Sequence, residues 1–258
     1  PDGAYVAFAS KATNLLPPQT GTPAEQAYVW ERSTGAIRLA SHAPGNPLKW
    51  DTAGVATWPG AFSADGRYLT LRSSSWTLVP WMPVQAIQNA FLWDRDTGEV
   101  SLITRAPGPG PIVFSGNQDS GPGAISADGR YVSISTASNN LLPGMTDNAG
   151  GGDVFLWDRV SGVFTLVSHS LGNPMQAGNR GSWSGWVSAD GNYVVFSSKA
   201  TNIAPNQVTT PYAMVFLWER ATGNIRLVSH TLTSQTAASN RDAQTHGFSA
   251  DGRFVLFI

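Results

Sequence analysis

The first residues to weigh are those that could hold a metal, move a proton or attack a substrate. His42, His169 and His230 each follow a serine, and Arg105 takes the matching place in a fourth copy of that stretch. Residues copied once per repeat sit on different repeats, so these three histidines are not expected to share one metal. His246 stands alone, and a single histidine without acids beside it is a sparse ligand set. Asp119, Asp242, Arg180, Arg241 and His246 are the candidates for acid–base work near a central channel. They fall in or near "GNQDS" (116–120), "GNRGS" (178–182) and "SNRDA" (239–243), in which Asn117, Asn179 and Asn240 read as loop braces. Carbohydrate cleavage by acid–base chemistry needs two carboxylates facing each other across a cleft.

Other chemistries are excluded by type or spacing. There is no cysteine, hence no thiolate nucleophile, thiolate metal site or disulfide within the chain. "GSWSG" (181–185) lacks the spacing of a nucleophile elbow. No HExxH, phosphate loop or dinucleotide fingerprint occurs. "GGGD" (150–153) leads into a strand pattern, not the helix that would hold a phosphate. A net charge of −1 and only Lys11, Lys49 and Lys199 as lysines give no nucleic-acid surface. No apolar run approaches the roughly 18 residues of a membrane span. The first residues read as mature domain, and no signal peptide is visible.

Tryptophan separates structure from candidate function. Trp30, Trp93, Trp157 and Trp218 recur in register, as residues that stack repeats do. Trp58 and Trp186 lie at first strands and read as core or channel lining. Trp50, Trp76 and Trp81 lie in long connections, and Trp183 precedes a first strand. Exposed aromatics in such places stack on sugar rings or anchor protein partners, and the alternative is that they roof the loops over a small satellite core. Trp50, Trp76, Trp81, Trp183 and His246 therefore form the candidate ligand-binding set.

The elements that must position these residues repeat from end to end. Asp-Gly pairs place aspartates at Asp2, Asp65, Asp128, Asp190 and Asp251, at intervals of 63, 63, 62 and 61 residues. "AYVWERSTG" (27–35), "AFLWDRDTG" (90–98), "VFLWDRVSG" (154–162) and "VFLWERATG" (215–223) keep the same beat. Each unit reads as four short strands, with an Asp-Gly hairpin between the first two. A second tight turn, R-x-[TS]-G, joins the third strand to the fourth. The third strand is apolar on both faces and so is expected to be buried on both. Its closing pairs, Glu31-Arg32, Asp94-Arg95, Asp158-Arg159 and Glu219-Arg220, point to opposite faces and do not bridge themselves. Each is expected to meet turn backbone or a neighbouring unit. The pattern predicts an all-β chain, a β-propeller of about 62-residue, four-stranded blades. Four full repeats and a partial fifth are present, with breaks near Asp65, Asp128, Asp190 and Asp251. Five second strands against four of every other kind suggest a segment of a longer array. A four-bladed ring with one redundant strand is the alternative.

Together, "SADGRYVSISTASNNLLPG", "DVFLWDRVSG" and "LVS" resemble the TolB-like, WD-type β-propeller repeat family of secreted and periplasmic bacterial proteins. The likeness covers the whole chain. It implies an extracellular, cell-surface or periplasmic location. It is specific for fold, since members of such families serve many functions. In relatives the connection between second and third strands often carries acids able to hold a cation. Here one copy, "PGMTDNAGGGDVF", supplies Asp147, Asn148 and Asp153, oxygen ligands that suit Ca²⁺. The same residues also serve as turn formers.

The expected function is a non-enzymatic, extracytoplasmic binding or structural module whose loop-rich face meets a protein or glycan partner. Self-assembly into a fibre or surface layer belongs to the same class. A propeller-type lyase or glycoside hydrolase is the alternative, decided by whether two carboxylates face each other in one cleft.

Overall fold

The computed structural model describes residues 3–16, 24–108, 112–147, 150–207 and 209–258. Asp2 lies outside them. Every regular element among the described residues is a β-strand. The chain divides into two compact units, Pro1–Pro122 and Gly123–Ile258.

The first unit holds two antiparallel meanders. One joins Tyr5–Ser10, Gln26–Glu31 and Ile37–Leu39. The other joins Thr57–Phe62, Tyr68–Ser73, Asn89–Asp94 and Val100–Leu102. In the second unit, Tyr131–Thr136, Asp153–Asp158 and Phe164–Leu166 form a sheet with Ser120–Ile125, a strand that spans the unit boundary. A further sheet joins Ser182–Val187, Tyr193–Ser198, Met214–Glu219 and Ile225–Leu227, and Thr245–Phe248 pairs with Val255–Phe257. Three of these sheets have the four strands expected of a full repeat, the first meander has three and the last has two. The third strands are buried on both faces, as in Val154, Phe155, Leu156 and Trp157.

The Asp-Gly turn closes on itself. Ser63 Oγ and Arg67 N both donate to Asp65 Oδ1, at 2.6 and 3.0 Å, while Tyr68 N donates to Ser63 Oγ. The same bonds recur around Asp128, Asp190 and Asp251. The Ser249 hydroxyl, then the Arg253 N–H, hold the Asp251 carboxyl below its ordinary range.

The acid–arginine pairs of the third strand lock onto this turn. Arg67 Nη2 meets Asp94 Oδ2 at 2.9 Å, and Arg130 Nη2 meets Asp158 Oδ2 at 2.8 Å. The Arg130 guanidinium holds the Asp158 carboxyl down at about 2. The arginine next to the acid goes elsewhere. Arg220 Nε donates to the Gly191 carbonyl at 2.8 Å and its guanidinium lies 4.6 Å over the Tyr131 ring of the preceding sheet. Arg95 treats Gly66 and Tyr5 alike. Turn backbone and neighbouring blade are thus both partners, as the pattern implied.

Two features depart from expectation. Three of the connections after the fourth strand, all but the one that follows Val100–Leu102, are not open loops. They fold as hairpins, His42–Ala43 with Asn46–Trp50, His169–Ser170 with Asn173–Ala177, and His230–Thr231 with Ser234–Ala238. Gly45 and Gly172 turn the first two at φ 71° and 77°. Pro47 and Pro174 hid these strands from the sequence reading, since proline in a strand is confined to edges and bulges. The repeat histidines therefore each open a hairpin. The second departure is a repeated glycine in the first strand. A Cβ at Gly185 would stand 2.5 Å from Val154 Cγ1, and one at Gly123 would overlap the Gly185 carbonyl. Only glycine lets these inner strands approach so closely.

Candidate functional site

The acids proposed for catalysis are occupied by backbone. Asp119 Oδ1 accepts from Gln88 N at 2.8 Å, and Asp242 Oδ1 accepts from Ala213 N at 2.7 Å. Both sit at the same repeat position, and each ties the approach to a first strand to the entrance of a third. Asn179 braces its loop as expected, accepting from Thr201 N and donating to Thr201 Oγ1, both at 2.8 Å. Arg180, Arg241 and His246 are exposed, His246 on Thr245–Phe248. Among the described residues no three of His, Cys, Asp and Glu gather into a metal-binding group. Asp242→Ala is expected to cost about 1 kcal/mol of stability, the typical worth of one hydrogen bond. Thermal unfolding checks this, and Asp242→Asn, which keeps the acceptor, should melt close to the parent.

Of the proposed calcium ligands, Asn148 lies outside the described residues. Asp147 Oδ1 accepts from Gly150 N at 3.2 Å. Asp153 opens its third strand and is buried, with Ser168 Oγ donating to Oδ1 at 2.8 Å. Burial, reinforced by the charge of Asp147, pushes the Asp153 carboxyl up to about 7 against the pull of Ser168. The same position carries Gln26 and Asn89, which accept the same bond from Ser41 at 2.7 Å and Thr104 at 3.0 Å. The fold asks for an acceptor there, and one copy supplies a carboxylate.

The tryptophans of the candidate set separate by burial. Trp50 is interior, a correction to its reading as a loop aromatic. It ends the Asn46–Trp50 hairpin strand, is only 2% exposed, and its Nε1 donates to Tyr28 Oη at 3.2 Å. Trp76 packs half-buried against the cluster that includes Leu78, Val79 and Met82. Trp183 is half-buried on its first strand. Trp81 is 74% exposed.

Trp81 also carries an uncommon backbone. Its φ is 63°. Counting from the aligned second strands, it matches Gly144 (φ 80°) and Asn206 (φ 52°), each after a proline. In the "LLPGM" copy Met145 N closes the turn on Leu142 O at 3.2 Å. Proline followed by a positive φ is the type II arrangement, in which glycine or asparagine is at home. An ordinary L side chain there costs about 1–2 kcal/mol. The turn is held in place by Val113 N donating to Trp81 O at 3.2 Å and Ser115 Oγ to Gln85 Oε1 at 2.8 Å. Val84, Ile112 and Phe114, on the same two connections, are also exposed. The signal for this site stood in the sequence as "PW" where two sister copies read "PG" and "PN"; the first copy reads "PP" and lies outside the described residues.

No protein-family model matches the chain, and no curated protein matches it. Among solved structures it is similar to the putative TolB of Agrobacterium tumefaciens, with 18% identity and a TM-score of 0.51 over 100% of this chain and 72% of that one. It is also similar to one of two prolyl endopeptidases, with 14% identity and a TM-score of 0.50, covering 88% of this chain and 28% of the other. TolB from Acinetobacter baumannii is similar at 16% identity and a TM-score of 0.47, over 99% of this chain and 51% of that protein. The likeness to the Agrobacterium protein supports a TolB-like propeller fold for the repeated sheets.

Proposed function

We propose that the chain is a non-enzymatic binding module that acts outside the cytoplasm and meets a protein or glycan partner through Trp81 and the connections beside it. One observation carries this reading. A bulky aromatic occupies a positive-φ corner that two of its sister copies give to glycine and asparagine, and it is left in solvent. Backbone strain of this kind persists where it serves a site. The enzyme alternative loses its best candidates, because Asp119 and Asp242 accept from the N–H groups of Gln88 and Ala213, each just before a third strand. The partner class includes a second copy of this chain, as in a fibre or surface layer. The propeller domain is read as whole or as part of a longer array, and Ca²⁺ at Asp147, Asn148 and Asp153 as an accessory. No helix among the described residues is long and apolar enough to cross a membrane.

A glycan array and a cross-linking pull-down from the source's cell envelope, run with the folded chain, test the proposal. A ligand on either panel that competes with soluble indole supports it, and silence on both overturns it. A stability measurement runs alongside. Trp81→Asn is expected to stabilise the chain by about 1 kcal/mol in urea unfolding, because asparagine tolerates the left-handed region that tryptophan does not.

A further inference from the structure

The surface at Trp81 breaks the repeat twice. Trp81 takes a turn corner that two sister copies give to Gly144 and Asn206. The neighbouring connection, after Val100–Leu102, is the one fourth-strand connection without a two-stranded hairpin among the described residues. Ala106 N donates to Phe114 O at 2.9 Å and closes it, and Val113 N donates to Trp81 O at 3.2 Å, so the two connections form one surface. Residues 78–87 read "LVPWMPVQAI" and residues 106–114 read "APGPGPIVF". Neither stretch holds a charge, and Gln85 and Trp81 are their only side chains with nitrogen or oxygen. Gln85 Oε1 already accepts from Ser115 Oγ at 2.8 Å. The stretches aligned with 78–87 carry Asp147 and Asn148 in one copy, and Asn206 and Gln207 in another. Polar side chains have thus been lost together from two adjoining connections.

Trp81 and Val84 are each 74% exposed, Ile112 46% and Phe114 43%. Their exposed parts come to roughly 450 Å², in the upper range for the largest apolar patch on a monomer. A glycan is dense in hydroxyl groups that need partners once buried, and these connections supply almost none. A second copy laid patch to patch would need about 800 Å² on each side for a stable dimer, more than is exposed. A bilayer holds an apolar tip durably only with a second signal such as a basic cluster. Neither connection carries a lysine or an arginine. An apolar stretch of protein meets each of these conditions. An uncharged centre with an aromatic anchor is the make-up of an interface core.

We infer that the occupant of this surface is a short, uncharged, apolar segment of another protein, one large side chain of which packs on the Trp81 indole. The inference rests on the reading of Trp81 as a partner surface, and it narrows protein or glycan to protein. Such a segment buries apolar area on both sides and leaves no charge desolvated. Its binding is therefore not screened by salt.

Selection of random heptapeptides on phage against the immobilised full chain tests it, followed by anisotropy titration of the synthesised, labelled winners. The winners are expected to be rich in Leu, Ile, Met, Phe or Trp and free of Asp, Glu, Lys and Arg. Their affinity should not weaken between about 50 and 500 mM salt. Val84→Asp and Ile112→Asp should each weaken them about tenfold or more. Both residues are exposed and lie outside every strand, so the variants should keep the fold, which thermal unfolding checks. Two sites keep the test alive if one variant does not fold. Failure to recover a peptide, winners that rely on charge, or affinity unchanged in both variants would each overturn the inference. So would a soluble oligosaccharide, a phosphatidylcholine vesicle or a second copy bound in a way that Val84→Asp abolishes. The oligosaccharide result would leave the partner reading of Trp81 standing. That reading fails separately, when Trp81→Asn weakens no ligand of any class.

Discussion

Gly191→Ala is expected to lower stability by about 3 kcal/mol, whereas Gly252→Ala should cost about 1 kcal/mol. Both glycines follow the aspartate of an Asp-Gly turn, and both have positive φ, 71° and 70°. The backbone penalty is therefore shared. What differs is the neighbour. A Cβ on Gly191 would overlap Cδ2 of Tyr131 and stand 2.9 Å from Cε2. Tyr131 has little room to retreat, being 7% exposed and flanked by the guanidinium groups of Arg130 at 4.9 Å and Arg220 at 4.6 Å. A Cβ on Gly252 would meet no described residue within 4 Å beyond its chain neighbours. Gly66 repeats the crowded case against Tyr5. The turn glycine thus does two things: it allows the hairpin, and it seats the tyrosine of the preceding blade. Urea unfolding of the two variants separates the roles. Equal losses would mean that only the hairpin conformation matters.

The second large effect concerns pH. Asp153 has an ordinary unfolded carboxyl, and burial raises it to about 7 in the folded chain. Between those values the folded state holds a proton that the unfolded state has lost. Stability must therefore fall as pH rises from about 4 through 7. At 1.36 kcal/mol per pH unit, the loss approaches about 4 kcal/mol above pH 8. Asp153→Asn should abolish this slope. It should match the parent near pH 4 and exceed it by several kcal/mol at pH 8, since Asn89 already fills the equivalent position with the same hydroxyl donor. Denaturant unfolding across this range is the check. Calcium enters the same experiment. If Asp147 and Asp153 hold Ca²⁺, millimolar Ca²⁺ restores the parent at pH 8 and does nothing for Asp153→Asn. Parent stability that is flat between pH 4 and 8 would refute the burial account.

The strand order was legible because its signals are local and repeated. Asp-Gly followed by an alternating strand, and "VFLW" followed by a polar turn, say where each strand starts and stops. The hairpin at Asn46–Trp50 was not legible, because Pro47 masks the strand and its partner is only two residues long. That miss decided the reading of Trp50, which is buried only because the hairpin exists. The second duty of Gly191 was hidden for another reason. Tyr131 lies 60 residues earlier, and no spacing rule within one blade brings the two together. Trp81 is the opposite case. Its exposure needed coordinates, but its misfit was present in the aligned turns "VPW", "LPG" and "APN". Repetition explains what builds the fold, and the break in repetition at Trp81 is where we propose that a partner binds.

That division rests most directly on one comparison: the affinity of the parent and of Trp81→Asn for a ligand found on the glycan or pull-down panel. The account predicts a loss of about tenfold or more, as for a central aromatic anchor, in a variant that is as stable as the parent or more so. Unchanged affinity in the folded variant would contradict it.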